Sequence, residues 1–428
     1  MARRLLRNGM VGWRLIAFLL LQVLGLPILA PSKKIGPKRK FAKKNEDAWK
    51  DLREWPDWQW QERFGMPKAV ILELHSMLEP YLSLRTKGPS REYRNCGRKV
   101  KWTTFHSVVL GILRLRSRLT WTEFRDYWAI TRGGSLASCL ISFRDSVNMF
   151  CSDFINFPCS NGGQLDILSR EFAAGWGIPC CGVLDGLHIP FRSGDLDDTD
   201  RNGNCSLLLL AVVDANGLFR AAAIGFPGRM NDPGALRLCS LGRTVLPELR
   251  RLGYFILGDS IFPASGALVT PYDGSDVDAR PREERLLQWA LIRTRSVVER
   301  AFGCLLSKFP WLREMRLEEI RRAGADAAAG HEHAARWVLC AMILHNVERL
   351  RFASSNRERL RHGQAPLLDP LDTVQPAELV TRRVLSNGGY LNFSPSVLVG
   401  GPPEAEMIRQ HLIDTNGWRQ PRAGDAAF

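Results

Sequence analysis

Gly182–Phe191 reads GVLDGLHIPF and Tyr254–Pro263 reads YFILGDSIFP, two short apolar runs rich in β-formers that carry Asp185 and Asp259. A third acid, Glu299, lies in RSVVERAFGCLLSKFPWL (Arg295–Leu312), whose apolar residues recur at helical spacing. Two carboxylates at strand ends and one on a helix are what a site needs to hold a pair of divalent cations. Such a pair, about 3.5–4 Å apart, can activate a water and stabilise the leaving oxygen in phosphodiester cleavage. Carboxylate oxygens favour Mg²⁺ or Mn²⁺ over zinc.

Outward from these acids, strand candidates fall at Cys181–Phe191, Leu207–Val213, Leu218–Ile224 and Gly253–Leu257. Asp214-Ala215-Asn216-Gly217 is a hairpin turn between the second and third. Arg229–Arg243 is broken by Pro233 and then helical, and helices are expected over Arg282–Phe309 and His331–Arg351. This order fits an RNase H-like α/β domain, a mixed sheet flanked by helices, in which the first and fourth strands are neighbours. Asp185 and Asp259 then face each other at one sheet edge, each followed by a residue that ends its strand, Gly186 and Ser260. Two carboxylates so close need a cation between them to stay ionised. On the helix, Val298, Phe302, Leu305, Leu306 and Phe309 form the buried stripe with Glu299 at its margin. Gly303 leaves room one turn along, and Arg295 and Arg300 flank the acid, placed to neutralise it or to contact phosphate. Taken singly, an Asp after a strand is more often a turn former, as at Asp214, and a Glu between arginines a surface ion pair. Three acids in matching local contexts outweigh those readings.

Upstream, residues 47–176 are helical. Trp55, Trp58, Trp60 and Phe64 lead into KAVILELHSMLEPYL, with Val70, Leu74, Met77, Leu78 and Leu82 at helical spacing. The polar Arg85–Arg98 segment is a loop. Leu119–Phe143 reads helix, turn at Thr131–Gly134, helix, with Thr120, Thr122 and Ser135 as cap candidates. Helix-turn-helix and a plain helical bundle both fit, since the second helix offers only Ser138, Ser142 and Arg144 for reading bases.

The chain has 428 residues and a formal net charge of +15. Residues 1–50 hold twelve Lys/Arg against two acids, so +10 sits there and +5 on the remaining 378 residues. The run from Lys33 to Lys44, centred on Pro37-Lys38-Arg39-Lys40, reads as an import signal or phosphate-binding arm, with a solvated linker as the alternative. Before it, Leu15–Ala30 is apolar behind Arg3, Arg4 and Arg7, a pattern like a signal peptide or short anchor, though sixteen residues fall short of the roughly twenty a span needs. None of the ten cysteines forms C-x-x-C, which argues for a reducing compartment and against a zinc site or disulfide framework. The organisation is therefore 1–46 basic leader, 47–176 helical domain, 177–351 catalytic domain, and 352–428 a Pro/Gly-rich extension without sustained period.

The segment from Gly182 to Asn346 resembles the PIF/Harbinger superfamily of DDE transposases and the Harbinger-derived nucleases. GVLDGLHI, LLLLAVVDANGLF, GFPGRMNDPG, YFILGDSIFP, LVTPY, RTRSVVERAFGCLLSKFPWL and CAMILHN occur in the family's order. The resemblance implies that Asp185, Asp259 and Glu299 are the catalytic, metal-binding acids, holding two Mg²⁺ or Mn²⁺ ions. It assigns Asp232 a local role in capping the following helix, and matches His188 and His345-Asn346 to family positions, with His345 read as packing. It further implies DNA as substrate (terminal inverted repeats and a target site), a Myb/SANT-like accessory protein, a nuclear location, and room for homo-oligomers. Two departures weaken the expected grip on DNA. Asp195–Asn204 is acidic where the family has a basic segment, and Lys308 stands alone after Glu299. The rival reading is a domesticated, catalytically weak DNA- or protein-binding factor.

Overall fold

The computed structural model describes residues 51–86, 103–127, 133–192, 206–272, 280–313, 315–316, 327–362 and 404–415. The leader with its basic run, the apolar Leu15–Ala30 stretch, residues 87–98 of the polar segment, Thr131 of the turn and the acidic Asp195–Asn204 stretch lie outside them. Residues Trp55–Tyr127 and Arg132–Phe428 form one compact unit. Among the described residues, no helix is long and apolar enough to cross a membrane.

The helices upstream of the sheet begin with α1 (Asp57–Phe64), α2 (Lys68–Thr86), α3 (Thr104–Arg116), α4 (Trp121–Tyr127) and α5 (Gly133–Asn148). Their starts follow from local chemistry. Thr103 accepts from the His106 amide while His106 Nδ1 accepts from the Thr103 amide, and Thr120 with Glu123 closes the same reciprocal box at α4. Along α2 the buried face is Ile71, Leu74, Leu78 and Leu82, while Trp58 of α1 is exposed. Helix α5 buries Leu136, Leu140, Phe143 and Val147 against α2, α3 and a later helix. Arg144, a candidate base reader, is instead 3 % exposed. Its guanidinium bonds Asp145 at 2.8 and 2.5 Å and His333 at 2.7 Å. Helix α5 thus commits its one arginine to the interior.

After α6 (Gly162–Trp176) come β1 (Val183–Arg192), β2 (Ser206–Val213) and β3 (Phe219–Pro227), an antiparallel meander. Two short helices, α7 (Asp232–Leu238) and α8 (Leu246–Leu252), are joined by a π-turn, Leu241–Val245, and lead to β4 (Ile256–Leu257) and β5 (Leu268–Val269). These two strands run parallel on the other side of β1, giving the order β3-β2-β1-β4-β5. Helix α9 (Arg282–Lys308) follows, then β6 (Met315–Arg316), which pairs with the end of β1, then α10 (Ala327–Arg361) and α11 (Glu404–Thr415). The result is a mixed sheet flanked by helices.

All eight residues of β2 are buried, which explains why SLLLLAVV reads as a continuous apolar run rather than an alternating one. On one face, Leu184, Leu208, Leu210 and Val212 pack with Leu165 and Leu168 of α6 and with Ala235, Leu236 and Leu249 of α7 and α8. On the other, α9 crosses β1 and β2, and Phe302 stacks on Phe219 at 5.9 Å between centroids. Each buried leucine here contributes roughly 1.5–3 kcal/mol.

The β2–β3 turn forms as the sequence requires. Asp214 accepts from the Asn216 and Leu218 amides at 2.9 and 3.0 Å, and Gly217 takes the left-handed φ of 76° that such a turn needs. Helix α10 then pins the hairpin. His345 Nε2 lies 3.0 Å from the Gly217 carbonyl, and the Asn346 side chain bonds both polar groups of Phe219. Packing is thus the role of His345, as expected.

Part of the C-terminal stretch is docked. Helix α11 buries Ile408, Leu412 and Ile413 against α9 and β5, and Arg409 donates to the Thr270 carbonyl while lying over the Tyr272 ring. The composition of the surrounding Pro/Gly-rich tail had hidden this twelve-residue amphipathic period.

Candidate active site

Register decides where the aspartates meet. Val183 of β1 pairs in parallel with Leu257 of β4. Two residues further along each strand direction stand Asp185 and Asp259, equal in parity and hence on the same face of the sheet. Asp185 does not end its strand. It sits within β1 opposite Ala211, and β1 continues through Gly186 to Arg192. Asp259 does follow the end of β4, and its Oδ1 accepts from the Ser260 amide at 2.7 Å.

Helix α9, packed on β1, brings the third acid. Arg295 and Glu299 are one turn apart on the same helix face. The Arg295 guanidinium reaches all three acids: Nη2 lies 3.5 Å from Asp185 Oδ2 and 3.7 Å from Glu299 Oε1, and Nη1 lies 3.3 Å from Asp259 Oδ1. Side-chain exposure rises from 13 % at Arg295 and 16 % at Asp185 to 36 % at Asp259 and 59 % at Glu299, so the cluster is closed at the sheet and open at the helix. The Arg295 Nε is buried without a hydrogen-bond partner.

Burial pushes the Asp185 carboxyl up to about 6, opposed by the Gly186 amide and Arg295 and reinforced by Asp259 and Glu299. Oxygen donors that already converge on a cationic group are a donor set suited to a hard divalent ion. The Arg295 guanidinium stands among the acids, and no cluster of three or more acid, His or Cys ligands closes on a point among the described residues.

A fourth acid lies against β1. A Cβ on Gly186 would come within 2.5 Å of Asp232 Oδ2, so the Asp232 carboxylate fills the space a side chain would take. The cap of α7 is Asn231, whose side chain accepts from the Gly234 amide at 2.8 Å, while Asp232 is the first helical residue. The local capping role assigned to Asp232 thus belongs to its neighbour. The sequence signal for its position was the Gly after Asp185, which can only be read once the pairing is known.

His188 is exposed, with Nδ1 3.1 Å from Ser206 Oγ. Arg300 turns its guanidinium over the Trp176 ring at 4.8 Å. Lys308 pairs with Glu348 at 2.7 Å and is 17 % exposed, so the lone lysine after Glu299 serves the fold. Gly303 has open space beside it, as expected.

Comparison with known proteins agrees with this architecture. Residues 184–346 match the model of the DDE superfamily endonuclease. The "Putative nuclease HARBI1" of Homo sapiens is 26 % identical over 325 residues, 74 % of this chain and 82 % of that protein. Its Rattus norvegicus counterpart is 26 % identical over 366 residues, 82 % of this chain and 88 % of that protein. "Protein ALP1-like" of Arabidopsis thaliana is 33 % identical over 129 residues, 26 % of this chain and 32 % of that protein. No solved structure matches the chain significantly. Residues 184–346 thus carry a DDE superfamily endonuclease domain, and the chain is a relative of the Harbinger transposase-derived nucleases.

Proposed function

We propose that this chain is a divalent-metal-dependent DNA endonuclease of transposase type, with an RNase H-like catalytic domain and Asp185, Asp259 and Glu299 as its metal-holding acids. The observation that carries the reading is the convergence of these three acids, distant in sequence, on one guanidinium. Mg²⁺ or Mn²⁺ bound there would supply an activated water and charge stabilisation of the leaving oxygen. The chain's own residues do the rest. The β1–β4 register sets the two aspartates on one face of the sheet, where a cation would meet both. Burial keeps Asp185 dry and strengthens its interaction with any cation. Glu299, on the open side, completes the donor set where a DNA backbone can approach.

The experiment is nicking of supercoiled plasmid by the full chain with Mn²⁺ or Mg²⁺, set against Asp259→Asn and Glu299→Gln. The expected result is ion-dependent nicking that both variants lose. Nicking that survives chelation, or variants that cut like the wild type, would refute the reading. The second reading is a domesticated DNA- or protein-binding factor with little catalysis, and the engagement of Lys308 with Glu348, which takes a cation away from DNA, favours its protein-binding form. Metal uptake without cutting and without tight duplex binding would support it.

A further inference from the structure

We infer that Arg295 is a tethered counter-ion, holding the three acids together in the metal-free chain and withdrawing when divalent ions bind. The inference rests on the metal-holding role proposed above, and it adds a residue that sets the affinity of that site. Three carboxylates gathered in a partly buried site repel one another unless a cation lies between them. Arg295 supplies it, and the planar fork of guanidinium suits the task, one nitrogen facing Asp259 and the other facing Asp185 and Glu299.

Several features mark it as a replaceable occupant. Its contacts of 3.3–3.7 Å are longer than the roughly 2.7–2.9 Å of a charge-assisted hydrogen bond, so Coulomb attraction holds it rather than directed bonds. Its Nε has no acceptor to anchor the stem. It brings one positive charge to three acids, which divalent ions outbid. The exposed side of the cluster, at Glu299 and Asp259, gives an ion a path that does not cross the core. Because one position cannot hold both cations, the guanidinium and the metal compete. The apparent metal affinity is then the intrinsic one reduced by the fraction of molecules in which Arg295 has withdrawn.

The test is Mn²⁺ titration of the full chain without DNA, by calorimetry, in wild type and in Arg295→Gln, with melting temperature recorded with and without Mn²⁺. Arg295→Met, which keeps the apolar stem, is the second variant should the first fail to fold. The expected result is Mn²⁺ binding about tenfold tighter than wild type, matching an occupied fraction of about nine in ten. Removing the counter-ion should also lower the metal-free melting temperature and leave the Mn²⁺-saturated one near that of wild type. A purely structural arginine would lower both by the same amount, and that result overturns the inference, as does equal or weaker Mn²⁺ binding in the variants. Absence of binding in wild type and variants alike would instead overturn the metal reading itself, and this inference with it.

Discussion

Gly186→Ala tests the closest approach around the candidate site. Gly186 has an ordinary strand conformation, so its glycine answers to space, not to backbone geometry. The added Cβ would stand 2.5 Å from Asp232 Oδ2, 2.8 Å from Cγ and 3.0 Å from Oδ1. Ordinary contacts need nearly an ångström more, so the Asp232 carboxylate must swing off β1 or the strand and α7 must move apart. Overpacking of this kind costs about 1–3 kcal/mol. Replacing glycine returns about 0.4–1 kcal/mol by restricting the unfolded chain, so the clash wins. For domains of this size 1 kcal/mol shifts Tm by about 2–4 °C, which predicts a fall of about 5 °C in thermal denaturation. Gly186→Ala combined with Asp232→Ala should recover most of it. A single variant as stable as wild type, or a double variant no better than the single, would refute the account of Asp232 packed against β1.

Burial of Asp185 predicts a conflict between site and stability. Its folded pKa of about 6 exceeds the unfolded value, so it opposes folding increasingly as pH rises from about 4 through 6. Asp185→Asn should therefore stabilise the metal-free chain by up to about 3 kcal/mol at pH 7.5 and have little effect near pH 4, measured by urea denaturation. His345 and His333 act with the opposite sign. Burial depresses His345 to about 3, and burial followed by Arg144 depresses His333 to about 4, so both are neutral when folded. Stability should fall as pH drops below about 6.5, by up to about 1.4 kcal/mol per pH unit per histidine, and His345→Gln should flatten that slope. Asn346→Ala removes bonds to the Phe219 amide and carbonyl and to the Phe154 carbonyl, stranding buried backbone groups. A loss of about 2–4 kcal/mol in denaturant titration is expected, and a loss under 1 kcal/mol would mean the hairpin does not depend on α10.

The long elements were legible because their signals are local. Ten residues around Asp185, the apolar run of β2, the Asn-Gly turn and the stripe along α9 each carry enough period or turn chemistry to be read alone. Strands β5 and β6 are two residues each, too short for any period, and exist only because a neighbour supplies hydrogen bonds. Helix α11 has its amphipathic face inside a tail whose prolines and glycines dominate the composition. Charged residues misled most: Arg144 and Lys308 look like DNA contacts in sequence, and both are spent on interior partners, because a charge's role depends on what folds over it.

The sequence by itself determined the three acids, their order and the kinds of element that carry them. That information lies in residue type and short-range spacing. Tertiary structure alone decided that Asp185 lies within its strand beside Asp259, that Asp232 rests against Gly186, and that Arg295 stands among all three acids. Those facts depend on strand register and on which face of α9 meets the sheet. Both are set by side-chain packing between segments tens of residues apart, and no local pattern encodes them.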